Sequence, residues 1–351
     1  MAGIFSKAKS IAQGHTEPPE PGSLEAQLQD AVFARDTLAA ERDGLREHTI
    51  RLEAERLEAE GQLEKLKQSI HKLLAPPGHF YSPLVDPAEP AVRAVLSREA
   101  RRFEQPCPGV HLNEEAQLRL LDRFAAEYYP ELPFTAEKSP GKRYYFENPA
   151  FSYGDAITLY CMIRDVKPRR FVEVGCGFSS SVTLDTNDLF FGGNIEVTMI
   201  DPYPQVLLDR LDPGDRYRSH IVAKPLQEAP DSLFTQLEEN DILFIDSSHV
   251  SKMGSDVNDY LFRIFPLLNK GVVIHIHDIF YPFEYPGRWV TETNHSWNET
   301  YALHAFLQYN DSFEIVYFSD LVYLKYEQRT RERMPLCLKN SGGGIWLRRN
   351  R

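Results

Sequence analysis

The sequence has few cysteines, no long apolar run and no excess of positive charge. Its four cysteines (Cys107, Cys161, Cys176 and Cys337) lie far apart and form neither a CxxC pair nor a metal-ligand spacing. This usage is typical of a reducing, cytoplasmic setting. No apolar run approaches the roughly 18 residues of a membrane span, so we expect no integral membrane segment. The 39 basic and 51 acidic side chains give a net charge of −12, which argues against non-specific binding to nucleic acid or to an anionic membrane.

The N-terminal part of the chain differs from the rest in its sequence pattern. We interpret residues 1–23 as a flexible N-terminus and a linker, "TEPPEPG". Residues 24–75 carry a seven-residue repeat with one apolar register: Leu24, Ala31, Leu38, Leu45, Leu52, Ala59, Leu66 and Leu73. The second register is polar in its middle: Leu28, Arg35, Arg42, Thr49, Arg56, Leu63 and Ile70. The repeat predicts a coiled-coil helix that forms a homo-oligomer or binds a partner helix, the alternative being a solvated helix folded back on its own domain.

Two further regions follow along the chain. Residues 76–150 are predicted to form a preface of helix and loops that packs on the main domain. Residues 151–351 alternate helical stretches with short apolar strands: "RFVEVG", "IEVTMID", "HIVA", "DILFID", "GVVIHIHD", "FEIVYF" and "GGGIWLRR". This alternation predicts an α/β domain with a seven-stranded, mostly parallel sheet covered by helices on both faces, in which the last strand inserts antiparallel.

A glycine turn follows the first of these strands. The segment "FVEVGCGFSSS" places Gly175 and Gly177 between a strand and a helix, where a missing Cβ lets the backbone approach a ligand closely. The second strand ends at Asp201, and an acid there can hydrogen-bond both hydroxyls of a ribose. Ser180 stands where a dinucleotide fingerprint has its third glycine, which disfavours a nicotinamide dehydrogenase. The structural alternatives are a plain turn for the glycines and a loop-capping role for Asp201.

Several of these segments together resemble a known family. "EVGCG", the acid in "MIDPYP", and "FIDSSH" followed by "HIHDIFYPFEYP" look like a class I S-adenosylmethionine-dependent methyltransferase, of the macrocin-type and cephalosporin-hydroxylase-like O-methyltransferase branch. The resemblance spans about residues 140–350 and implies a Rossmann-like fold with S-adenosyl-L-methionine as the cofactor. The cofactor-binding residues that it implies are Glu173, Gly175, Gly177, Ser179, Asp201, Leu226, Gln227, Asp246 and, against the amino-acid end, Tyr153.

Polar side chains end two neighbouring strands, at the sheet edge where parallel sheets bind ligands. Asp246 ends the fourth strand with His249 close behind, and His277 and Asp278 end the fifth, so we expect these four side chains to converge. In one chemistry, His277 or His249 is a general base and a carboxylate orients its ring, with Asp278 part of the catalytic edge. In the other, Asp246, Asp278 and His277 bind Mg²⁺ or another divalent cation, which lowers the pKa of an acceptor hydroxyl.

Aromatic residues follow this polar edge. We expect Tyr281, Tyr285, Trp289 and Trp297 to form part of an acceptor pocket, since aromatic faces with polar tips suit a sugar ring; plain loop packing is the alternative. The expected function is an O-methyltransferase that acts on a hydroxyl of a glycan or a glycosylated small molecule. An alternative from another class is a coiled-coil assembly protein whose methyltransferase-like domain is a non-catalytic scaffold.

Overall fold

The computed structural model describes residues 20–70, 73–211, 214–215 and 219–351. Most of the predicted N-terminus and linker, residues 1–19, lies outside these ranges. The chain divides into two units, Met1–Ser82 and Pro83–Arg351. Within the described ranges, no helix is long and apolar enough to cross a membrane.

The first unit is dominated by one long helix, α1 (Leu24–Ile70, 47 residues). Its sequence is rich in leucine, alanine, glutamate and arginine, which are strong helix formers, and it contains no proline. Pro76 and Pro77 follow its end and would not continue a helix. The helix predicted from the seven-residue repeat is therefore confirmed.

The second unit is built on a seven-stranded sheet. Its strands are β1 (Arg170–Val174), β2 (Glu196–Ile200), β3 (His220–Val222), β4 (Ile242–Ile245), β5 (Val273–His277), β6 (Phe313–Phe318) and β7 (Gly344–Arg349). They are ordered β3-β2-β1-β4-β5-β7-β6. Strands β1 to β5 run parallel to their neighbours, and β7 lies antiparallel between β5 and β6. The predicted fold class, including the antiparallel insertion of the last strand, is confirmed.

Helices flank this sheet. Those of the second unit are α2 (Pro90–Leu96), α3 (Glu114–Arg123), α4 (Tyr153–Val166), α5 (Phe178–Phe191), α6 (Gln205–Leu208), α7 (Ser232–Thr235), α8 (Asp256–Asp259), α9 (Phe265–Leu267), α10 (Gly287–Thr291), α11 (Glu299–Leu307) and α12 (Glu327–Arg333). Successive residues of β1 enter two different hydrophobic cores, Phe171 the one that contains α4 and Val172 the one that contains α11. The alternation expected of a strand thus packs both faces of the sheet.

The segment before the α/β core closes one edge of the sheet. The backbone N–H of Phe318 on β6 donates to Gln117 Oε1 of α3 at 2.7 Å. Asn113 Nδ2, just before α3, donates to the carbonyl of Ile315 at 3.3 Å. These side chains form hydrogen bonds with backbone groups of β6. On an uncovered edge strand, such groups would be free to pair with another chain.

Candidate active site

The glycine turn after β1 is fixed by its neighbours in the sheet. Gly175 has a φ of +82°, and a Cβ at this position would overlap the carbonyl oxygen of Asp246. Its N–H donates to the carbonyl of Ile200 at 2.9 Å, and the N–H of Asp246 donates to that of Val174 at 2.8 Å. The hydrogen bonds of β1 to β2 and β4 therefore continue into the turn, and only glycine fits there.

Asp201 ties the second strand to this turn. Its Oδ2 accepts a hydrogen bond from the N–H of Cys176 at 2.9 Å. Its Oδ1 accepts one from the N–H of Tyr203 at 2.7 Å. Each carboxylate oxygen has a second lone pair, so the loop-capping contacts leave Asp201 able to accept from a ligand hydroxyl as well.

Two recesses of about 410 Å³ each open at this edge of the sheet and share Gly175, Asp201 and Asp246. The first is also lined by Leu226 and Gln227. The second is lined by Gly177 and Ser179. Seven of the nine predicted cofactor-binding residues therefore surround one divided cleft.

Glu173, the eighth of these residues, lies beneath the cleft and has no exposed surface. Its Oε1 accepts a hydrogen bond from Ser179 Oγ at 2.5 Å, while its Oε2 has no partner among the described residues. Burial raises the pKa of this carboxyl to about 8, so it is protonated at neutral pH. The unpaired oxygen is a buried polar atom that a polar group of a ligand would stabilise.

Tyr153, the ninth, does not line either recess. It opens α4, and its hydroxyl donates to Glu147 and accepts from Lys339 Nζ at 3.2 Å. The residue of this segment that does line a recess is Phe151, whose N–H is bound by Asn148 Oδ1 at 2.8 Å. The role of Tyr153 in cofactor binding therefore stays a prediction, since its hydroxyl is committed to Glu147 and Lys339 while Phe151 of the same segment lies beside the recess.

His249 lies between two carboxylates at the ends of β4 and β5. Its Nε2 is 3.4 Å from Asp246 Oδ1 and 3.7 Å from Asp278 Oδ2. The carbonyl of His249 accepts from the N–H groups of Asn298 and Glu299 at 3.2 and 3.1 Å. This backbone anchor brings the loop after β4 to the start of α11, with His249 and Glu299 adjacent.

Glu299 is a buried carboxylate that sequence patterns did not identify. Its Oε2 lies 2.8 Å from His249 Nδ1, and its Oε1 accepts from the Tyr260 hydroxyl at 2.7 Å. Burial lowers the pKa of His249, but hydrogen bonds to Asp246 and Glu299 outweigh it and raise that pKa well above its usual range. His249 is therefore held on both sides by carboxylates that favour its protonated form.

His277 ends β5 beside the same group. Its Nε2 is 3.6 Å from Asp278 Oδ1, and its Nδ1 is 3.4 Å from His275 Nε2. Burial lowers the pKa of His277, but the nearby Asp246 and Asp278 outweigh this effect and raise it. His275, by contrast, is stacked on Phe244 at 4.3 Å in the core, and burial holds its pKa well below the usual range.

Asp155 is a second carboxylate that has no local sequence signature. It lies in the first turn of α4, is 9% exposed, and accepts a hydrogen bond from the N–H of Gly343 at 3.1 Å. A Cβ at Gly342 would overlap its carboxylate, so the glycines before β7 make room for it. Burial raises the pKa of Asp155 to about 7, and the charge of His277 acts in the opposite direction.

The described side chains do not, as they stand, form a metal site, and the ligand set of Asp246, Asp278 and His277 stays a prediction. Within the part of the chain that the structure describes, no group of three or more His, Cys, Asp or Glu side chains has a metal-holding geometry. The physical reason is that His249 stands between Asp246 and Asp278. A divalent cation shared by the two carboxylates would have to take its place.

The predicted acceptor wall is present in part. The Trp297 ring lies against His249, with ring centroids 4.3 Å apart and planes tilted by 33°, and it contacts Trp289 at 5.5 Å and Tyr285 at 6.0 Å. Both tryptophans are partly exposed, whereas Tyr285 is buried and its hydroxyl accepts from Thr300 N–H at 3.3 Å. The wall beside the histidine is therefore formed mainly by the two tryptophans.

Tyr281, also predicted for this wall, is a core residue. It is 2% exposed, and its ring stacks on Phe103 at 5.9 Å. Its hydroxyl donates to the carbonyl of Gln105, and its N–H donates to Asp320 Oδ2 at 2.9 Å. Its assignment to the acceptor wall stays a prediction, and the structure places the ring against Phe103 of the segment before the α/β core.

Comparisons with known proteins agree with this architecture. The Methyltransf_24 family, described as a methyltransferase domain, matches residues 172–279. An uncharacterized protein from Archaeoglobus fulgidus is 34% identical over 187 residues, which cover 50% of this chain and 79% of that protein. The chain belongs to this methyltransferase family.

Similar solved structures include methyltransferases of several kinds. The S-adenosylhomocysteine-bound methyltransferase PaMTH1 from Podospora anserina is 15% identical with a TM-score of 0.37, covering 76% of this chain and 100% of that one. The O-methyltransferase TomG from Streptomyces achromogenes, in complex with S-adenosylmethionine, is 15% identical with a TM-score of 0.36, covering 68% and 90%. CmcI with Mg and S-adenosylmethionine is 17% identical with a TM-score of 0.36, covering 64% and 84%.

Proposed function

We propose that the protein transfers a methyl group from S-adenosyl-L-methionine to a hydroxyl group of a glycan or a glycosylated small molecule. The observation that carries this proposal is the position of His249, whose Nε2 faces Asp246 and Asp278 at 3.4 and 3.7 Å. Asp246 also lines both recesses of the cleft. A proton acceptor therefore lies directly beside the space that we assign to the cofactor.

The cleft offers a matching partner for each end of the cofactor. Asp201 would accept hydrogen bonds from the ribose hydroxyls, and Leu226 and Gln227 would lie at the adenine end. Glu173 Oε2, which lacks a partner, supports placing the amino-acid end by the glycine turn. When bound, the cofactor supplies an electrophilic methyl group on its sulfonium.

The residues of the chain must then orient the acceptor and take its proton, because an alcohol is a weak nucleophile. We assign the general base to His249, whose Nδ1 contacts Glu299 and whose Nε2 is 3.4 Å from Asp246, a residue that lines both recesses. Asp246 and Asp278 would orient the acceptor and stabilise the imidazolium that forms. His277, one residue before Asp278, is the second candidate for this role.

A glycan acceptor is supported by the aromatic wall. Trp297 lies over His249 with a partly exposed face, and Trp289 stands at a steep angle to it, 84° between planes. Flat aromatic faces beside hydrogen-bonding groups suit a sugar ring, which has both apolar faces and polar edges. Asp278 would bind a neighbouring hydroxyl of the same ring.

A divalent cation is the alternative way to activate the hydroxyl. It would bind Asp246, Asp278 and His277, and hold the substrate oxygen as a Lewis acid. Because His249 occupies the space between the two aspartates, we favour the histidine mechanism. Activity measured in EDTA, with and without added Mg²⁺, decides between them: full activity in the chelator supports the base, and loss restored by Mg²⁺ supports the metal.

The proposed function is tested with radiolabelled S-adenosylmethionine against a panel of glycosides, free sugars, catechols and carboxylic acids. We expect labelled methyl ethers on a glycoside and turnover that falls about 10²–10⁴-fold in His249→Gln. His277→Ala and Asp278→Ala should also lose activity while S-adenosylhomocysteine binding survives. Methylation of catechols or acids alone would contradict the glycan assignment, and wild-type turnover in all three variants would contradict the catalytic assignment.

A second function, a coiled-coil assembly protein with a non-catalytic domain, is favoured by one observation. The leucines of α1 are exposed along its length, for example Leu45 at 67% and Leu66 at 58%. Calorimetry with S-adenosylhomocysteine separates the two functions. Binding at micromolar affinity supports the enzyme, whereas absence of binding to the folded protein would favour the scaffold.

A further inference from the structure

The helix α1 carries an apolar row that is exposed among the described residues of its unit. Leu38, Leu45 and Leu52 of this row are 64%, 67% and 49% exposed. They recur every seven residues on a helix that runs unbroken from Leu24 to Ile70. A stripe of this length is typical of a helix that pairs with another helix.

The adjacent register decides which pairing fits. It contains Arg35, Arg42 and Arg56, whose side chains are 70–72% exposed. In a parallel, in-register pair, residues of this register face their own copies, so three layers would place arginine against arginine. Like charges in a partly desolvated seam are unfavourable.

An antiparallel pair removes these like-charge layers. Residues of one register then face residues of the other register on the second helix. When the two helices are centred on residue 47, the numbers of any two facing residues sum to 94. Arg35 would face Ala59, Arg42 would face Leu52, and Arg56 would face Leu38 of the other copy. Each arginine stem can cover an aliphatic neighbour while its guanidinium reaches water.

The remaining layers and the helix bounds support the same register. Leu28 would face Leu66, and Leu63 would face Ala31, so the ends of the pair are apolar. The bounds Leu24–Ile70 give a midpoint of (24 + 70)/2 = 47, the same centre. The register that matches every layer is therefore also the one with complete overlap of the two helices.

Charges along the seam fit this register as well. Arg42 of one copy lies near Glu53 of the other, and Glu25 near the first turn lies near Lys67 in the last turn. Arg46 meets its own copy at the centre, but on an exposed flank, where such an interaction is worth about 0–1 kcal/mol. We propose that α1 pairs with a second copy of this chain as an antiparallel coiled coil centred on residue 47.

The orientation is measured with spin labels on the full-length protein. In Asp30→Cys, the labelled residue of each copy lies opposite residue 64 of the other copy. The two labels are therefore 34 residues apart along the axis, and we expect a label-to-label distance of about 50 Å. A parallel pair would give a distance set by the width of two helices, roughly 20 Å. Glu47→Cys is the matched control, since its label sits at the centre and gives a short distance in both arrangements.

Two results would overturn the proposal. One is a monomer by light scattering at the labelling concentration, and the second is a short Asp30→Cys distance. The role of the arginines is tested with Arg35→Leu, Arg42→Leu and Arg56→Leu together, which removes the charge penalty of the parallel pair. We expect this variant to gain a population with a short Asp30→Cys distance, and an unchanged distribution would show that the arginines do not set the orientation. Wild-type protein treated with the label reports any reaction of the native cysteines.

Discussion

Glu299 holds His249 through a 2.8 Å contact between Oε2 and Nδ1, 50 residues away along the chain. The same carboxylate accepts from the Tyr260 hydroxyl at 2.7 Å. With Nδ1–H committed to Glu299, the only nitrogen of His249 that can exchange a proton with a substrate is Nε2. A carboxylate behind a histidine in this way fixes its tautomer and stabilises its protonated form.

The first prediction concerns Glu299→Gln. Burial lowers the pKa of His249. The contacts with Asp246 and Glu299 outweigh this effect and raise the pKa above its usual range. The base form of His249 therefore accumulates only as the pH rises, and activity should rise with it. Removing the Glu299 charge lowers this pKa, so the rise in kcat should move to lower pH. The maximal rate should fall by about 10²-fold, because the ring loses its orientation.

Tyr260→Phe is the matched control for this variant. It removes one hydrogen bond to Glu299 and leaves the charge next to His249 in place, so the pH–rate profile should move much less. Profiles of kcat for wild type and both variants give the comparison. A profile that is unchanged in Glu299→Gln, with normal folding, would show that His249 is not the base.

The second prediction contrasts two glycines of one turn. Gly175→Ala introduces a Cβ that overlaps the Asp246 carbonyl at a φ of +82°. We expect it to lower the free energy of unfolding by about 3 kcal/mol or more. Gly177 has an extended φ of −174°, and a Cβ there meets only Val206 Cγ1, at 3.6 Å. Gly177→Ala should fold normally and weaken cofactor binding, because its methyl group occupies the cleft.

Urea unfolding and calorimetry with S-adenosylhomocysteine test both variants. Equal stability losses in the two would show that the turn is purely structural. Normal cofactor affinity in a folded Gly177→Ala would place the ligand elsewhere. The two variants thus distinguish a glycine required by the fold, Gly175, from a glycine required by the ligand, Gly177.

The elements of this fold that sequence could predict are those with a local pattern. The strands β4 and β5, which end at Ile245 and His277, are short and mostly apolar runs, and each is followed directly by an aspartate. Parallel strands place such residues at one edge whatever the loops do. Asp246 and Asp278 were therefore predictable as neighbours before their distances to His249 were known.

Glu299 and Asp155 could not be predicted in this way. Each is an acid in the first turn of a helix, a position that acids favour anywhere because of the helix dipole. Only the tertiary fold brings Glu299 to His249 and Asp155 beneath the glycines before β7. The burial of Tyr281 was equally out of reach, since an aromatic residue after a strand gives no sign of whether it faces a cleft or a core.

The third prediction is that Asp201→Asn weakens cofactor binding. The carboxylate would accept from the ribose hydroxyls while it holds the N–H groups of Cys176 and Tyr203. Asparagine keeps one acceptor oxygen and loses the charge. Since a hydrogen bond to a charged group contributes about 1.5–3 kcal/mol, the Kd for S-adenosylhomocysteine should rise about 10- to 100-fold.

Asp209→Asn is the control for charge alone. It removes one negative charge from an exposed position at the end of α6 without touching the cleft residues. Calorimetry on the two variants, with melting temperatures alongside, isolates the contact. An unchanged Kd in a folded Asp201→Asn protein would leave the loop-capping role as the whole function of this residue.

The fourth prediction uses the buried carboxyl of Glu173. Burial raises its pKa to about 8 from the usual 4.5, so the folded state keeps this proton over a range where the unfolded chain has lost it. The stability that the proton contributes is fully present below pH 4.5 and is lost as the pH rises toward 8. Within that window, wild type should lose roughly 1 kcal/mol per pH unit from this group.

Glu173→Gln removes this dependence because the amide does not titrate. Its free energy of unfolding relative to wild type should rise steadily between pH 5 and 8, as measured by urea unfolding at each pH. Every other titrating group contributes equally to both proteins, so the difference reports Glu173 alone. A difference that does not vary with pH would mean that Glu173 is ionised in the folded protein. Its Oε2 would then have a partner that the unliganded cleft does not provide.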